Sequence, residues 1–263
     1  MVRLLRGSLL KLVRRPASRM TLAVLLGLLA LVYMAVGASA VADPAVAEES
    51  GVGSVLGFPE AYGSLGSMLL NFAGLAAAAY AGAIAASEWS WNMFRVAVAR
   101  GASRPGYIVA TFGAVALLAL LAWVVAYAAG VGLALGAATV SGIAVGDPLD
   151  GPTLGRLPIL VIAGWWSVVM GGAIGFAVAF AARNAVAGIA AVVVLTFGEQ
   201  FAGVVVPQDI VSLAPISASS RLTAEAMATG LSAELVGPLV LTTLYLVLAI
   251  AAAGLVAQRA EVA

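Results

Sequence analysis

Six stretches of this chain carry no charged residue at all: 21–42, 61–87, 105–146, 157–182, 184–198 and 235–258. A helix of about 20 apolar residues crosses the hydrocarbon core of a bilayer, where each backbone N–H and C=O needs an internal partner. The sequence therefore predicts an all-α, polytopic membrane protein, a single transmembrane domain over 1–263, with spans at 21–42, 65–87, 106–135, 157–182, 185–206 and 236–257. The fifth stretch is short by itself and is continued past Glu199 by Val204, Val205 and Val206. The third is longer than one span needs, and Gly130, Gly132 and Gly136 are read as its frayed outer end. At 63% hydrophobic and 10% charged residues, the chain has too little charge to cover a soluble domain of its length.

Orientation follows from the basic residues. Of 13 Lys and Arg, six precede the first span (Arg3, Arg6, Lys11, Arg14, Arg15, Arg19), three lie between the second and third (Arg95, Arg100, Arg104), and Arg183 and Arg259 share that side. Only Arg156 and Arg221 fall opposite, so both termini are expected in the cytoplasm. Asp43, Glu48, Glu49, Glu60, Asp147, Asp150, Asp209, Glu225 and Glu234 then lie outside. Ala38-Ser39-Ala40 imitates a cleavage site, but the preceding apolar run is too long for a signal peptide, and the first span is read as retained.

Two cytoplasmic surfaces stand out. In residues 1–19, Val2, Leu5, Leu9, Leu12 and Val13 fall on one side of a helical wheel and Arg3, Arg6, Lys11, Arg14 and Arg15 on the other. This pattern describes an interfacial amphipathic helix among membrane lipids, ended by Pro16. The loop 88–104 places Glu88, Trp89, Trp91, Phe94, Arg95, Arg100 and Arg104 beside a small apolar tip, Val96 to Ala99. It is expected to form a short helix closed by Gly101, with Trp89, Trp91 and Phe94 at headgroup level.

The order Glu88, two aromatics, Arg95, an apolar pair, Arg100-Gly101-Ala102-Ser103-Arg104 and Tyr107 resembles the first cytoplasmic loop of type-2 ABC transporter permeases. Lys11, Arg14, Arg15 and Pro16 before the first span, Leu213 and Pro215 followed by the helical stretch 219–227, and the charged stub Gln258, Arg259, Ala260 and Glu261 extend the resemblance over nearly the whole chain. That family commonly carries Gly-Thr-Leu-Arg where this chain has Asn92, Met93, Phe94 and Arg95. The resemblance implies an exporter's permease subunit in the inner membrane of a prokaryote. It also implies a coupling helix in 88–104 that docks on a separate ATPase through Glu88, Trp91, Phe94, Arg95, Val98, Arg100 and Arg104. Two ATPase copies, with their ATP and Mg, and a second permease subunit, the same or a homologous chain, would complete the unit.

Lys11 is the only lysine, and it sits in no Gly-rich phosphate loop, so ATP is not expected to bind this chain in that way. With no His and no Cys, thiol and imidazole chemistry are excluded. Glu88, Arg183 and Glu199 fall on different connections or depths, and no catalytic constellation is expected. No cofactor, metal or nucleic-acid partner is expected either.

Within the spans, Gly74, Ala78, Gly82 and Ala86 form a small-residue stripe, as do Gly171 with Gly175 and Gly132 with Gly136; packing inside the subunit is the default. Asn71 and Glu199 are the candidate pathway residues, Glu199 being the one carboxylate embedded in an apolar segment. A carrier driven by protons or cations through Glu199 is the alternative function. Arg183 is read as fixing topology. Residues 207–235 are read as an outer re-entrant segment, with Ser220 or Thr223 capping a short helix.

Overall fold

The computed structural model describes residues 2–42 and 51–260. Asp43, Glu48, Glu49 and Glu261, which the sequence placed outside the membrane or in the terminal stub, lie beyond the described residues. The chain forms α1 (Val2–Val13), α2 (Pro16–Ala42), α3 (Val52–Leu56), α4 (Glu60–Ser90), α5 (Met93–Ala99) and α6 (Arg104–Ser141). It continues through α7 (Gly151–Ala182), α8 (Ala185–Val205), α9 (Gln208–Val211), α10 (Pro215–Thr229), a 3₁₀ turn (Ala233–Leu235) and α11 (Val236–Arg259). Six of these, α2, α4, α6, α7, α8 and α11, are long and apolar enough to cross a membrane. The protein is an all-α, multi-pass membrane protein.

The helices α4 and α7 form the centre of the bundle, and α7 also touches α6, α8, α10 and α11. Of the apolar stretch of α7, 67% is buried, against 17% in α8 and α11. Glycine explains why α7 takes the middle. A Cβ at Gly175 would lie 2.9 Å from the Ala78 backbone, and one at Gly188 of α8 would strike the Gly175 carbonyl. Three helices thus meet at backbone distance, where dispersion and close approach replace the hydrophobic drive that lipid abolishes. The stripes on α4 and α7 pack within the subunit, whereas a Cβ at Gly132 or Gly136 would meet nothing within 4 Å.

Contacts between connections fix the two ends of the bundle. At one end Lys11 and Tyr107 both donate to Glu88, Trp89 donates to the Phe180 carbonyl and Arg104 to the Gln258 carbonyl; at the other, Phe58 pairs with Gly146, and the Tyr62 hydroxyl donates to the Pro148 carbonyl over 2.7 Å. Gly146, at φ +72°, sits where any Cβ would run into the Phe58 carbonyl.

Two boundaries differ from expectation. The α6 helix does not fray at Gly130 but runs to Ser141, because Gly130 packs against Leu65 and Leu29, Gly37 of α2 rides on Ala137, and Ala134 and Ala138 are buried. Its 38 residues reach about 57 Å, well beyond the hydrocarbon core. The apolar side of α1 is not left to lipid: Leu5, Leu9 and Leu12 pack with Ile108, Phe112 and Phe94, and Leu12 is buried. Pro16 opens α2 rather than closing α1, and the Leu12 carbonyl accepts both the Arg15 N–H at 3.1 Å and the Ser18 hydroxyl at 2.6 Å.

Candidate functional site

The last turn of α4 and the 88–104 connection converge on one buried carboxylate. Glu88 is 0% exposed. The Lys11 ammonium of α1 donates to its Oε1 at 2.5 Å, and the Tyr107 hydroxyl of α6 donates to its Oε2. Lys11 is 26% exposed, so its ammonium spans the gap between this buried acid and the water side. Next to it the Arg15 guanidinium donates to the Ser87 hydroxyl over 3.1 Å and lies 4.5 Å above the Trp91 ring. The basic strip before the first span therefore clamps the end of α4. Sequence periodicity marked that strip as a lipid contact, because a helical wheel cannot distinguish a phosphate from a buried carboxylate as the partner of Lys11.

The connection itself is built from two turn devices. Asn92, at φ 54°, takes the left-handed conformation between α4 and α5, a geometry Asn adopts at little cost. At the other end Gly101, at φ +88°, closes α5: its N–H donates to Val98 O and that of Ala102 to Ala97 O, a Schellman motif. Between these turns Phe94 points inward and is 0% exposed. It meets Trp89, Phe180 and Tyr107 at ring-centroid distances of 5.2, 5.6 and 5.9 Å. The Trp89 indole donates to the Phe180 carbonyl over 3.0 Å, and the Arg183 guanidinium covers its other surroundings at 4.4 Å from the ring.

These positions redistribute the residues that the sequence assigned to one docking surface. Glu88 and Phe94 lie inside the protein and cannot be touched by another chain in this conformation. Trp89, partly buried, belongs to the aromatic cluster with Phe94 and Phe180. Val98 packs against the core, with Ala97. Arg104 caps the end of α11, donating to the Gln258 carbonyl at 2.5 Å and the Ala260 carbonyl at 3.1 Å. Arg95 is half-buried. What remains outward is Trp91 and the face Met93, Val96, Ala99 and Arg100, spaced three or four residues apart. Arg183, read as a topology marker, also binds Trp89 through its cation–π contact and ends α7 in the left-handed conformation at φ 56°.

At the opposite end, Glu199 has a defined structural partner. Its Oε1 accepts the Ile216 N–H at 3.0 Å, and its Oε2 accepts the Ser217 N–H at 2.8 Å and the Ser217 hydroxyl at 2.9 Å. These amides belong to the first turn of α10, whose own N-cap, Ala214, has no side chain able to accept them. At the far end of α10 the Arg156 guanidinium donates to the carbonyls of Met227 (3.3 Å) and Ala228 (2.8 Å). An anion at the N-terminus and a cation at the C-terminus both oppose the helix dipole. The segment read as re-entrant thus contains a helix pinned at both ends, which begins at Pro215, so Ser220 and Thr223 sit inside it. Thr223 donates to Ser219 O and caps nothing. Arg156 was visible in the sequence only as an exception to the charge rule.

Asn71 is exposed on α4 and donates to the Ser67 carbonyl of its own helix over 3.0 Å. It borders a cavity of about 40 Å³ shared with Thr196, Ser167, Ser219 and Ile216. Glu199 does not line this cavity itself but bonds the N–H of Ile216, which does. Replacing Glu199 with alanine is expected to destabilise α10 by about 1–2 kcal/mol, since three bonds and a charge at a helix N-terminus are lost. Hydrogen exchange at residues 215–218 checks this; unchanged protection would show that the cap is not what holds the turn. Glu199→Gln retains its acceptor oxygen and is expected to lose less.

The six spans, the buried clamp and the outward face of α5 define a multi-pass helical membrane protein with one structured connection at its basic end. Comparison with protein-family models, with curated proteins and with solved structures finds no match.

Proposed function

We propose that this chain is the membrane-spanning permease subunit of an ABC transporter, acting in export, with its termini and α5 in the cytoplasm of a prokaryotic cell. The observation that carries the reading is α5 itself, a short helix packed between two of the longest spans. Phe94, buried against Trp89 of α4 and Tyr107 of α6, and the Asn92 and Gly101 turns join it to both spans, so a force applied to its outer face would reach both helices. This is the coupling required of a transport subunit driven from outside its own chain. A separate ATPase, in two copies, supplies ATP and Mg, and a second permease subunit completes the pathway. The 11 of 13 basic residues on the α5 side support that orientation. The capping role of Glu199 weighs against a carrier that would need this carboxylate free to take up and release an ion.

Purification of the tagged protein from its own membranes in mild detergent, with mass spectrometry of what accompanies it, tests the proposal. A stoichiometric soluble ATPase is the expected result; a protein that transports alone in vesicles, with no ATPase bound, overturns it. Val96, 43% exposed at the middle of the outward face, is the informative substitution. Val96→Asp is expected to reduce the recovered ATPase by roughly tenfold while leaving thermal stability within ±0.5 kcal/mol. Val98→Asp, by contrast, places a charge against the core and is expected to reduce the yield of folded protein itself. Equal ATPase recovery with Val96→Asp and with the unaltered chain would remove this face as the contact.

A further inference from the structure

A second and larger cavity, about 270 Å³, lies at the side of the bundle between α2, α4 and α6. Its polar and apolar residues are segregated by depth. Ser18, Arg19 and Tyr80 lie toward the basic end, whereas Leu25, Ala73 and Trp123 lie deeper in the spans. From Ser18 to Leu25 along α2, or from Tyr80 to Ala73 along α4, the depth is about 10 Å. The wall between is built from Ala76, Ala77 and Ala119, small side chains whose size leaves the space open. The Ser18 and Tyr80 hydroxyls are already bonded to each other at 2.7 Å, so Arg19 supplies the charge at the mouth. Arg19 is exposed, and so is Leu121, 61% exposed at the lateral edge, which opens the cavity toward the lipid side.

We propose that this cavity binds an anionic amphiphile with a single alkyl chain, its carboxylate or equivalent head at Arg19 and its chain running inward past Ala119 to Trp123. The cavity, about 270 Å³ over a depth of about 10 Å, has the cross-section of one alkyl chain and not of two side by side. The charge selects the head, because among the described residues no acidic side chain lines the cavity and its one ionised side chain is Arg19. The depth matches, since Arg19 is near the headgroup level from which a chain would enter. The site is independent of the transport proposal, because it rests on cavity shape and on Arg19 and not on what drives the spans.

Trp123 makes the test direct, because bromine quenches indole fluorescence on contact. The purified full-length chain in nanodiscs would be titrated with dibromostearic acid, with its methyl ester, and with a dibrominated phosphatidylcholine. The Trp123 signal is taken as the difference between the unaltered chain and Trp123→Phe. Saturable quenching of this signal by the acid, and not by the ester or the phospholipid at equal mole fraction, is the expected result. Arg19→Gln, a change on an exposed side chain, is expected to raise the half-saturating concentration roughly fivefold. Ala119→Leu, which fills the wall, is expected to abolish the quenching. Equal quenching by all three probes would show only a ring open to bulk lipid and would overturn the proposal, as would an absence of quenching or an Arg19→Gln titration that does not move.

Discussion

Lys11→Met is expected to lower the stability of the folded protein by about 3–5 kcal/mol, the range found when one partner of a buried ion pair is removed and the other charge is left behind. The remaining charge here is Glu88, 0% exposed and surrounded by Phe94, Tyr107 and the end of α1. The Tyr107 hydroxyl alone does not compensate it. The reciprocal change is expected to be milder: after Glu88→Gln the ammonium of Lys11, already 26% exposed, swings to water, and the glutamine amide still accepts from Tyr107. The pair of substitutions together is expected to recover much of the loss, because no unpaired charge remains. Thermal unfolding in detergent of the two single variants and the double variant measures this. A Glu88→Gln penalty equal to that of Lys11→Met would mean that the ion pair, and not the burial of one member, sets the cost.

This asymmetry has a functional reach. The Lys11–Glu88 pair ties α1 to α4, Tyr107 ties α6 to the same carboxylate, and Phe94 seats α5 on the aromatic cluster behind it. Loosening Lys11 therefore frees the N-terminal helix and the α5 connection together. In the proposed transporter, that would uncouple the outer face of α5 from the spans even where an ATPase still binds.

Charge-free length was enough to place six spans, because the bilayer imposes one requirement, a long apolar helix, that can be read residue by residue. The same reasoning failed wherever a residue's partner was distant in sequence. Glu199 and Arg156 look like isolated charges until Pro215–Thr229 is folded between them, and only then does the first-turn amide of Ile216 become visible as the reason for a carboxylate in an apolar helix. Glu88 and Phe94 looked like surface residues because a short polar loop is normally solvated; Phe180, 86 residues further along, gives Phe94 its buried neighbour. Gly130 was misread for a related reason. Glycine marks a helix end only where nothing packs against it, and here Leu65 and Leu29 do. Val96 and Arg100 are outward as the sequence suggested, since the spacing between a seven-residue helix's middle and its C-cap residue depends on local geometry alone.

The second large effect is expected at Gly175. Leucine there would bring its Cβ to 2.9 Å from both Cα and O of Ala78, backbone atoms that cannot rotate away as a side chain would. Overpacking a well-filled core costs about 1–3 kcal/mol where side chains adjust, and at a backbone-to-backbone contact the loss is expected at the upper end of that range or beyond. Because Gly188 of α8 approaches the Gly175 carbonyl as well, α4 and α8 are expected to be displaced together, opening the centre of the bundle. Gly132→Leu serves as the control: it adds the same side chain to a span at a position where a Cβ meets nothing within 4 Å. Thermal unfolding of the two variants side by side distinguishes a contact requirement from a general intolerance of bulk in glycine-rich spans. Gly175→Leu is expected to unfold at markedly lower temperature or fail to accumulate, with Gly132→Leu close to the unaltered chain. If both variants were equally stable, the close approach of α4, α7 and α8 would not be what holds these helices together.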